Sequence, residues 1–413
     1  MSRIGWILRG AVSSWLLMAV LAPEVWAGKK DPVELIQAQT EVREESLLDV
    51  GIQLFDPGLP EDPLAIGELT EKGIFADVRK SEARYIPMNL LRTLQSSGFW
   101  GAVRLVPGAN SVDLMVSGTI VKSNGKELKL TIKAVDAMGK EWLDKRYKRE
   151  ADLNAYMEGQ FGMQDPYQSL YNQIANDLLK SFKKKKDDYL NEVRMVSELR
   201  FAVDLAPTRF DDYLKVDKKG RYDIEKLPAK EDPVMERLAA IRERDHMFID
   251  TLNEYYADFY DRMDEPYDHW RAYSYEEQVA LDKLRSAARW EKILGAAAII
   301  GGIVASGRGG RAGHTAGEVA VIGGIAALQD GFAKGEESKM HAEALRELAA
   351  SLDSDVAPLL VDVEGEVMRL TGSVETKYAT WRQLLRQIFE SETGLPVDPN
   401  VQKPTDPVGP IQH

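Results

Sequence analysis

Between positions 255 and 275, aromatic side chains are interleaved with carboxylates. Tyr255, Tyr256, Phe259, Tyr260, Tyr267, Trp270, Tyr273 and Tyr275 lie among Asp258, Asp261, Asp264, Glu265 and Asp268. Aromatic faces can stack on sugar rings, and paired carboxylates can hydrolyse glycosides. Here no two acids are singled out by spacing. The segment therefore offers Tyr256, Tyr260, Tyr267 and Trp270 as a candidate ligand or partner surface, and no catalytic residue. The commoner meaning of such a pattern is packing: Tyr256, Phe259 and Tyr260 share one helix face, with hydroxyls reaching water or carboxylates at its rim.

The five histidines are His246, His269, His314, His341 and His413. None sits in a His-x-x-x-His or His-Glu-x-x-His arrangement, so two histidines on adjacent helical turns do not define a zinc site. Asp245-His246 and Asp268-His269 are sequence neighbours, and side chains at i and i+1 do not face each other on a helix. No Gly-x-Ser-x-Gly elbow marks a serine nucleophile. The chain has no cysteine, which excludes disulfides, thiolate metal sites, cysteine nucleophiles and lipidation on an N-terminal cysteine.

Two apolar, small-residue segments, Ile293–Ala305 and Val319–Leu328, flank a loop rich in glycine and arginine. The loop carries Gly307-x-Gly309-x-x-Ala312, a degenerate dinucleotide pattern, and no Gly-Lys-Ser/Thr closes a phosphate-binding loop. No nucleotide or other cofactor is expected. The pattern predicts a hairpin of two short helices meeting through Gly301, Gly302, Gly323 and Gly324, because glycines let backbones approach closely. Its readings are a buried core hairpin, a membrane-docking element or a self-association surface. At 13 and 10 residues, neither segment is long enough to span a bilayer.

The elements that must position these groups belong to a 413-residue chain that is 44% hydrophobic and 29% charged, with a net charge of −13. That length suits two or three folding units. The acidic balance argues against nucleic acid as a partner. Residues 1–27 read as an export signal: Arg3 and Arg9 precede the apolar Ala11–Ala22, and Val25-Trp26-Ala27 offers a cleavage site. The expected location is the periplasm, with peripheral attachment to the outer membrane.

An α+β fold is predicted. Residues 28–150 form a small domain with a strand at Leu47–Phe55, a helix from Lys80 to Ser97 capped by Gly98, and strands at 102–106, 112–121, 128–135 and 142–147. Asn124-Gly125 marks a hairpin turn. Residues 151–292 are helical, with an extended connector at 204–233. The run Lys183–Lys186 reads as a solvated helical face, with anionic lipid as the alternative contact. Pro266 is expected to split one helix from the next, the two packing as an antiparallel hairpin. Residues 293–335 hold the glycine-rich hairpin and 336–394 an αββα unit. A proline-rich tail covers 395–413.

The order strand, helix, then meander resembles small periplasmic domains of outer-membrane assembly and transport accessories. Examples are the auxiliary component of lipid-trafficking ABC systems and the N-terminal region of the curli-secretion family. The resemblance rests on Leu94-Gln95-Ser96-Ser97-Gly98-Phe99-Trp100 and Val116-Ser117-Gly118-Thr119-Ile120, within Leu47–Tyr147. The C-terminal unit, with Val363-Glu364-Gly365-Glu366-Val367 and Leu370-Thr371-Gly372-Ser373-Val374, resembles a BON-type module, which implies attachment to phospholipid or the envelope. Together these predict a non-enzymatic envelope accessory whose partner is an envelope protein or a lipid surface. The alternatives are a periplasmic carbohydrate- or peptidoglycan-binding protein and a homo-oligomeric scaffold.

Overall fold

The computed structural model describes residues 31–305 and 359–394, with short interruptions in each, together with positions 343, 346 and 347. The fold is α+β. Five strands make a mixed sheet in the order β2-β1-β3-β4-β5, with β1 Val50–Ile52, β2 Val103–Leu105, β3 Leu114–Ser123, β4 Glu127–Asp136 and β5 Glu141–Glu150. β1 runs parallel to both neighbours, whereas β3, β4 and β5 form an antiparallel meander. The alternation along β4 buries Leu128, Leu130, Ile132 and Ala134 on one face and leaves Lys133 exposed on the other. The first strand is shorter than the nine residues its apolar run suggests, because only Val50–Ile52 find ladder partners on both sides.

Helix α1, Ala76–Ser97, begins four residues before the expected Lys80 and ends at Gly98 in the left-handed conformation. Pro87 lies inside it. A proline has no N–H for the carbonyl four residues back, and here that carbonyl, on Ala83, accepts a bond from the Phe55 N–H at 2.9 Å. The freed acceptor is satisfied by the chain leaving β1, so the proline fastens helix to sheet.

Helices α2, Gln168–Phe182, and α3, Asp187–Leu205, follow. Lys183–Lys186 is the turn between them and not a helical face. The stretch expected as an extended connector is more structured than its prolines suggest. It holds a helical turn at Pro207–Phe210 and a hairpin of β6 Leu214–Val216 with β7 Tyr222–Ile224. The Tyr222 N–H bonds the Met138 carbonyl at 3.0 Å, laying this hairpin against the β4–β5 turn.

Helix α4 runs from Pro233 to Ala305, 73 residues without a break. The expected interruption at Pro266, and the helical hairpin it implied, are absent. An interior proline costs about 3 kcal/mol. Met263, Tyr267 and Trp270 on the adjacent turns are all buried, at about 1.5–3 kcal/mol each, so packing outweighs the lost hydrogen bond. Gly301 and Gly302 thus lie in the last turns of α4. Gly323, Gly324 and the rest of the predicted hairpin lie outside the described residues, as do the export signal and the proline-rich tail. In the C-terminal unit β8, Leu359–Val363, pairs with β9, Glu366–Leu370, and α5, Val374–Thr393, ends at Gly394.

The hydrophobic core runs from Leu48 to Phe389 and does not stop at position 150: α2 packs on β5, and α4 packs on α1, β2 and α5. Two contacts show how close α4 comes to the sheet. The Asn253 side chain accepts from the Leu105 N–H at 2.7 Å and donates to its carbonyl at 2.8 Å, occupying the outer edge of β2. Gly125, in the β3–β4 turn at φ +69°, leaves so little room that a Cβ would stand 2.3 Å from the Arg271 carbonyl oxygen. Gly125→Ala combines a left-handed strain with overpacking. We expect a loss of about 2–5 kcal/mol, read by chemical denaturation, against an effect under about 0.5 kcal/mol for the exposed Lys218→Ala.

Candidate functional site

The four aromatic candidates are brought together by α4, but beneath α1 and not on a surface. Tyr256, Tyr260, Tyr267 and Trp270 are all buried, which removes them as an open sugar-binding platform. Their neighbours on α1 explain why. The rings of Tyr85 and Tyr260 stack at 4.3 Å, Tyr267 meets Tyr85 edge-on at 4.9 Å, and Arg92 lies 4.0 Å above Tyr260. The Tyr260 hydroxyl donates to Asn89 at 2.9 Å, and the Tyr85 hydroxyl donates to Asp264. Burial pushes the Tyr85 hydroxyl well above its ordinary range and also raises Asp264.

At the heart of this layer is Arg271, one turn beyond Tyr267 and 1% exposed. Its guanidinium donates to Asp165 at 2.8 Å and to Asp268, and lies 4.4 Å from the Tyr267 ring. The other oxygen of Asp165 accepts the Tyr167 N–H at the start of α2. One carboxylate therefore joins the first turn of α2 to the middle of α4. Beside it, Glu82 accepts from Ser123 at 2.6 Å and from Tyr267 at 2.7 Å, and Arg79 reaches its second oxygen at 3.3 Å. Arg79 also donates to the carbonyls of Ile120 and Ser123, which flank the β-bulge in β3. Arg271, Asp165, Asp268, Glu82 and Arg79 hold one another in ion pairs, so the chemistry of this layer is that of a clamp.

A second polar cluster lies at the other end of β1 and is partly open to solvent. Asp113 accepts the Asp49 N–H at 2.9 Å, and Asp49 accepts the Ala102 N–H at 2.8 Å, so the two carboxylates stitch the starts of β1, β2 and β3. Arg242 of α4 approaches Asp113 at 4.0 Å and donates to Ser197 at 2.9 Å. Arg104 forms a two-point pair with Asp250 at 2.6 and 3.0 Å. His246 belongs to this cluster, while Asp245 points to α5, where it accepts from Arg382 at 2.9 Å and from the Trp381 ring at 3.2 Å. The neighbours in sequence face different partners, as helix geometry requires. His269 is exposed, 4.0 Å from Glu265.

Burial lifts the Asp113 carboxyl to about 6, against the pull of the Asp49 N–H and Arg242. Burial, reinforced by Arg242 and Arg104, holds His246 down at about 4. Sequence reasoning misses Arg271, Asp165, Glu82, Asp113 and Arg242, whose partners are distant along the chain. The one local signal is an arginine following Tyr267 and Trp270 within an aromatic stripe.

A shallow groove of about 260 Å³ lies between α3 and the β6–β7 hairpin, lined by Arg200, Val203, Asp204, Asp211, Leu214, Val216 and Tyr222. Its charges are largely engaged internally: Asp204 accepts from Arg382 and Arg386, and Arg200 donates to the Ala137 carbonyl. Among the described residues, no group of three or more His, Cys, Asp or Glu is placed to hold a metal ion. Comparison of the chain with family models, with characterised proteins and with solved structures gave no match.

Arg271→Met leaves Asp165 and Asp268 buried without their counter-charge, and should cost about 3–5 kcal/mol by urea unfolding. The pair Asp113 and His246 should show opposite pH slopes. Asp113 binds its proton more tightly folded than unfolded, so its contribution is greatest at low pH and is lost as pH rises from about 4 to 6. His246 binds its proton less tightly folded, so its contribution is lost as pH falls from about 6.5 to 4. In the parent the two offset each other. His246→Gln should make stability fall with rising pH across that window and Asp113→Asn should make it rise, as melting temperatures at half-unit pH steps would show; parallel slopes would exclude the assignment.

Proposed function

We propose that the protein is a non-enzymatic envelope accessory, an exported chain whose folded body carries a helix that docks on the outer membrane or on an assembly partner there. The observation that carries this reading is the continuity of α4. Its first half is fastened to the sheet, α1 and α5, and Leu281 is the last of its residues with a described place in the core. The helix continues unbroken from there to Ala305, about 36 Å further at 1.5 Å per residue, and ends in the apolar, glycine-bearing Ile293–Ala305.

Three further features support it. Residues 1–27 have the charge and apolar pattern of an export signal. Buried charges of the body, Arg271 with Asp165 and Asp268 and Arg382 with Asp204 and Asp245, are consumed in pairs that hold elements together. No helix among the described residues is long and apolar enough to cross a membrane, which agrees with docking in place of spanning. The burial of Tyr256, Tyr260, Tyr267 and Trp270 gives the carbohydrate reading no surface to use. Gly301 and Gly302 stand in the docking segment, where close approach suits a lipid surface, a partner helix or a second copy.

The test is fractionation of an epitope-tagged chain, washing the membrane pellet with carbonate and with high salt. Retention in the pellet of the parent, and release of a variant lacking residues 293–335 that melts at the parent temperature, is the expected result. Recovery of the parent wholly in the soluble fraction would refute the proposal.

A further inference from the structure

The turn between α2 and α3 gathers cations that the fold does not pair. Lys183, Lys184, Lys185 and Lys186 occupy it, and Lys140 in the β4–β5 turn stands beside it. In a chain carrying 66 acidic residues against 53 basic ones, none of these five lysines has a carboxylate within 4 Å among the described residues. What holds three of them is aromatic. The Lys185 ammonium lies 5.0 Å from the Trp142 ring and 4.9 Å from Tyr189, Lys140 lies 4.7 Å from the same Tyr189, and Lys183 lies 5.2 Å from Phe99.

The rings are themselves fixed. The buried Asp136 accepts from the Trp142 ring nitrogen at 2.8 Å, from the Tyr189 hydroxyl, and from the Lys140 N–H at 2.9 Å. Asp136 thus sits beneath the platform with its oxygens committed to these donors. Of the other nearby acids, Asp187 is drawn to Arg43 at 3.7 Å, while Asp188 and Glu192 lie exposed on α3. Burial together with Lys140 and Lys184 lowers the basicity of Lys185. Like charges crowded over a rigid aromatic floor repel one another, and an anion placed among them relieves that repulsion. Lys186 is the N-cap of helix α3 and makes no side-chain capping bond, while Asp187 and Asp188 in the first turn behind it answer the positive end of the helix.

We propose that Lys140 and Lys183–Lys186 form a binding surface for a phosphate-bearing anion, presented either as the headgroup of an anionic phospholipid or as a soluble phosphate monoester. The surface is separate from the α4 extension, and its test does not depend on where the protein resides.

The full chain is mixed at low ionic strength with vesicles of phosphatidylcholine alone, with vesicles containing phosphatidylglycerol, and with glycerol phosphate. Binding to the phosphatidylglycerol vesicles, weakened by salt and absent on phosphatidylcholine, assigns the site to a lipid headgroup. Binding of glycerol phosphate free in solution assigns it to a soluble ligand. At about 1 kcal/mol per lysine, K140Q/K183Q/K185Q should bind on the order of a hundredfold more weakly. The exposed pair K184Q/K186Q, whose side chains make no ring contact with the aromatic floor, should bind about thirtyfold more weakly, while K215Q on the β6–β7 hairpin stays at the parent value. Equal binding by K184Q/K186Q and the parent, equal retention on both kinds of vesicle, or no binding to any probe overturns the proposal.

Discussion

The structure depends on the burial of one positive charge. Arg271 leaves water completely, and an isolated ion could not do so without a penalty of several kcal/mol. Asp165 and Asp268 remove that penalty, and each lies where it must for the fold to close. Asp268 is one helical turn away and comes at no cost in chain entropy. Asp165 comes from the stretch between β5 and α2, and its second oxygen accepts the Tyr167 N–H at the start of α2. The pairing can form only when sheet, α2 and α4 are already in register, so it selects this arrangement among the many that would bury as much apolar surface. The tyrosines around it keep water out and offer their ring faces to the guanidinium.

A similar logic recurs at α5. Asp245 on α4 and Asp204 on α3 share Arg382, with Arg386 on the outer side of Asp204. The C-terminal helix is thus seated by charge as well as by Trp381 stacking on Phe248 at 4.8 Å. Both clamps join elements more than a hundred residues apart in sequence. The long helix α4 contributes to both clamps, Arg271 to one and Asp245 to the other, which makes it the spine on which the separately predicted regions converge.

That convergence marks the boundary of what the sequence discloses. The α+β class, the Asn124-Gly125 turn, the Gly98 cap and the β8–β9 hairpin are legible because each is set by a local period or a residue with a special backbone preference. The continuity of α4 is not legible, because proline signals a break locally and only the burial of Met263, Tyr267 and Trp270 keeps the helix whole. The candidate aromatics do belong together, since helical spacing puts them on one stripe, but the sequence alone does not say whether such a stripe faces water or α1. The polar residues that matter most, Arg271 with Asp165 and Asp113 with Arg242, are partners across more than a hundred positions, and no spacing rule reaches that far.

The amide of Asn253 on the rim of β2 has a meaning for the behaviour of many molecules together. A sheet with an unpaired rim is a template on which another chain can add a strand, and from there a polymer can grow. On one side of this sheet a helix side chain imitates the missing strand, filling both the donor and the acceptor of Leu105. The opposite rim, β5, carries Lys145, Arg146, Lys148 and Arg149 in a near-continuous charged row, which repels a second copy of itself. The two margins of the five-stranded sheet are thus guarded by different means, one by mimicry and one by repulsion, and both disfavour the joining of this sheet to its copy in a crowded solution.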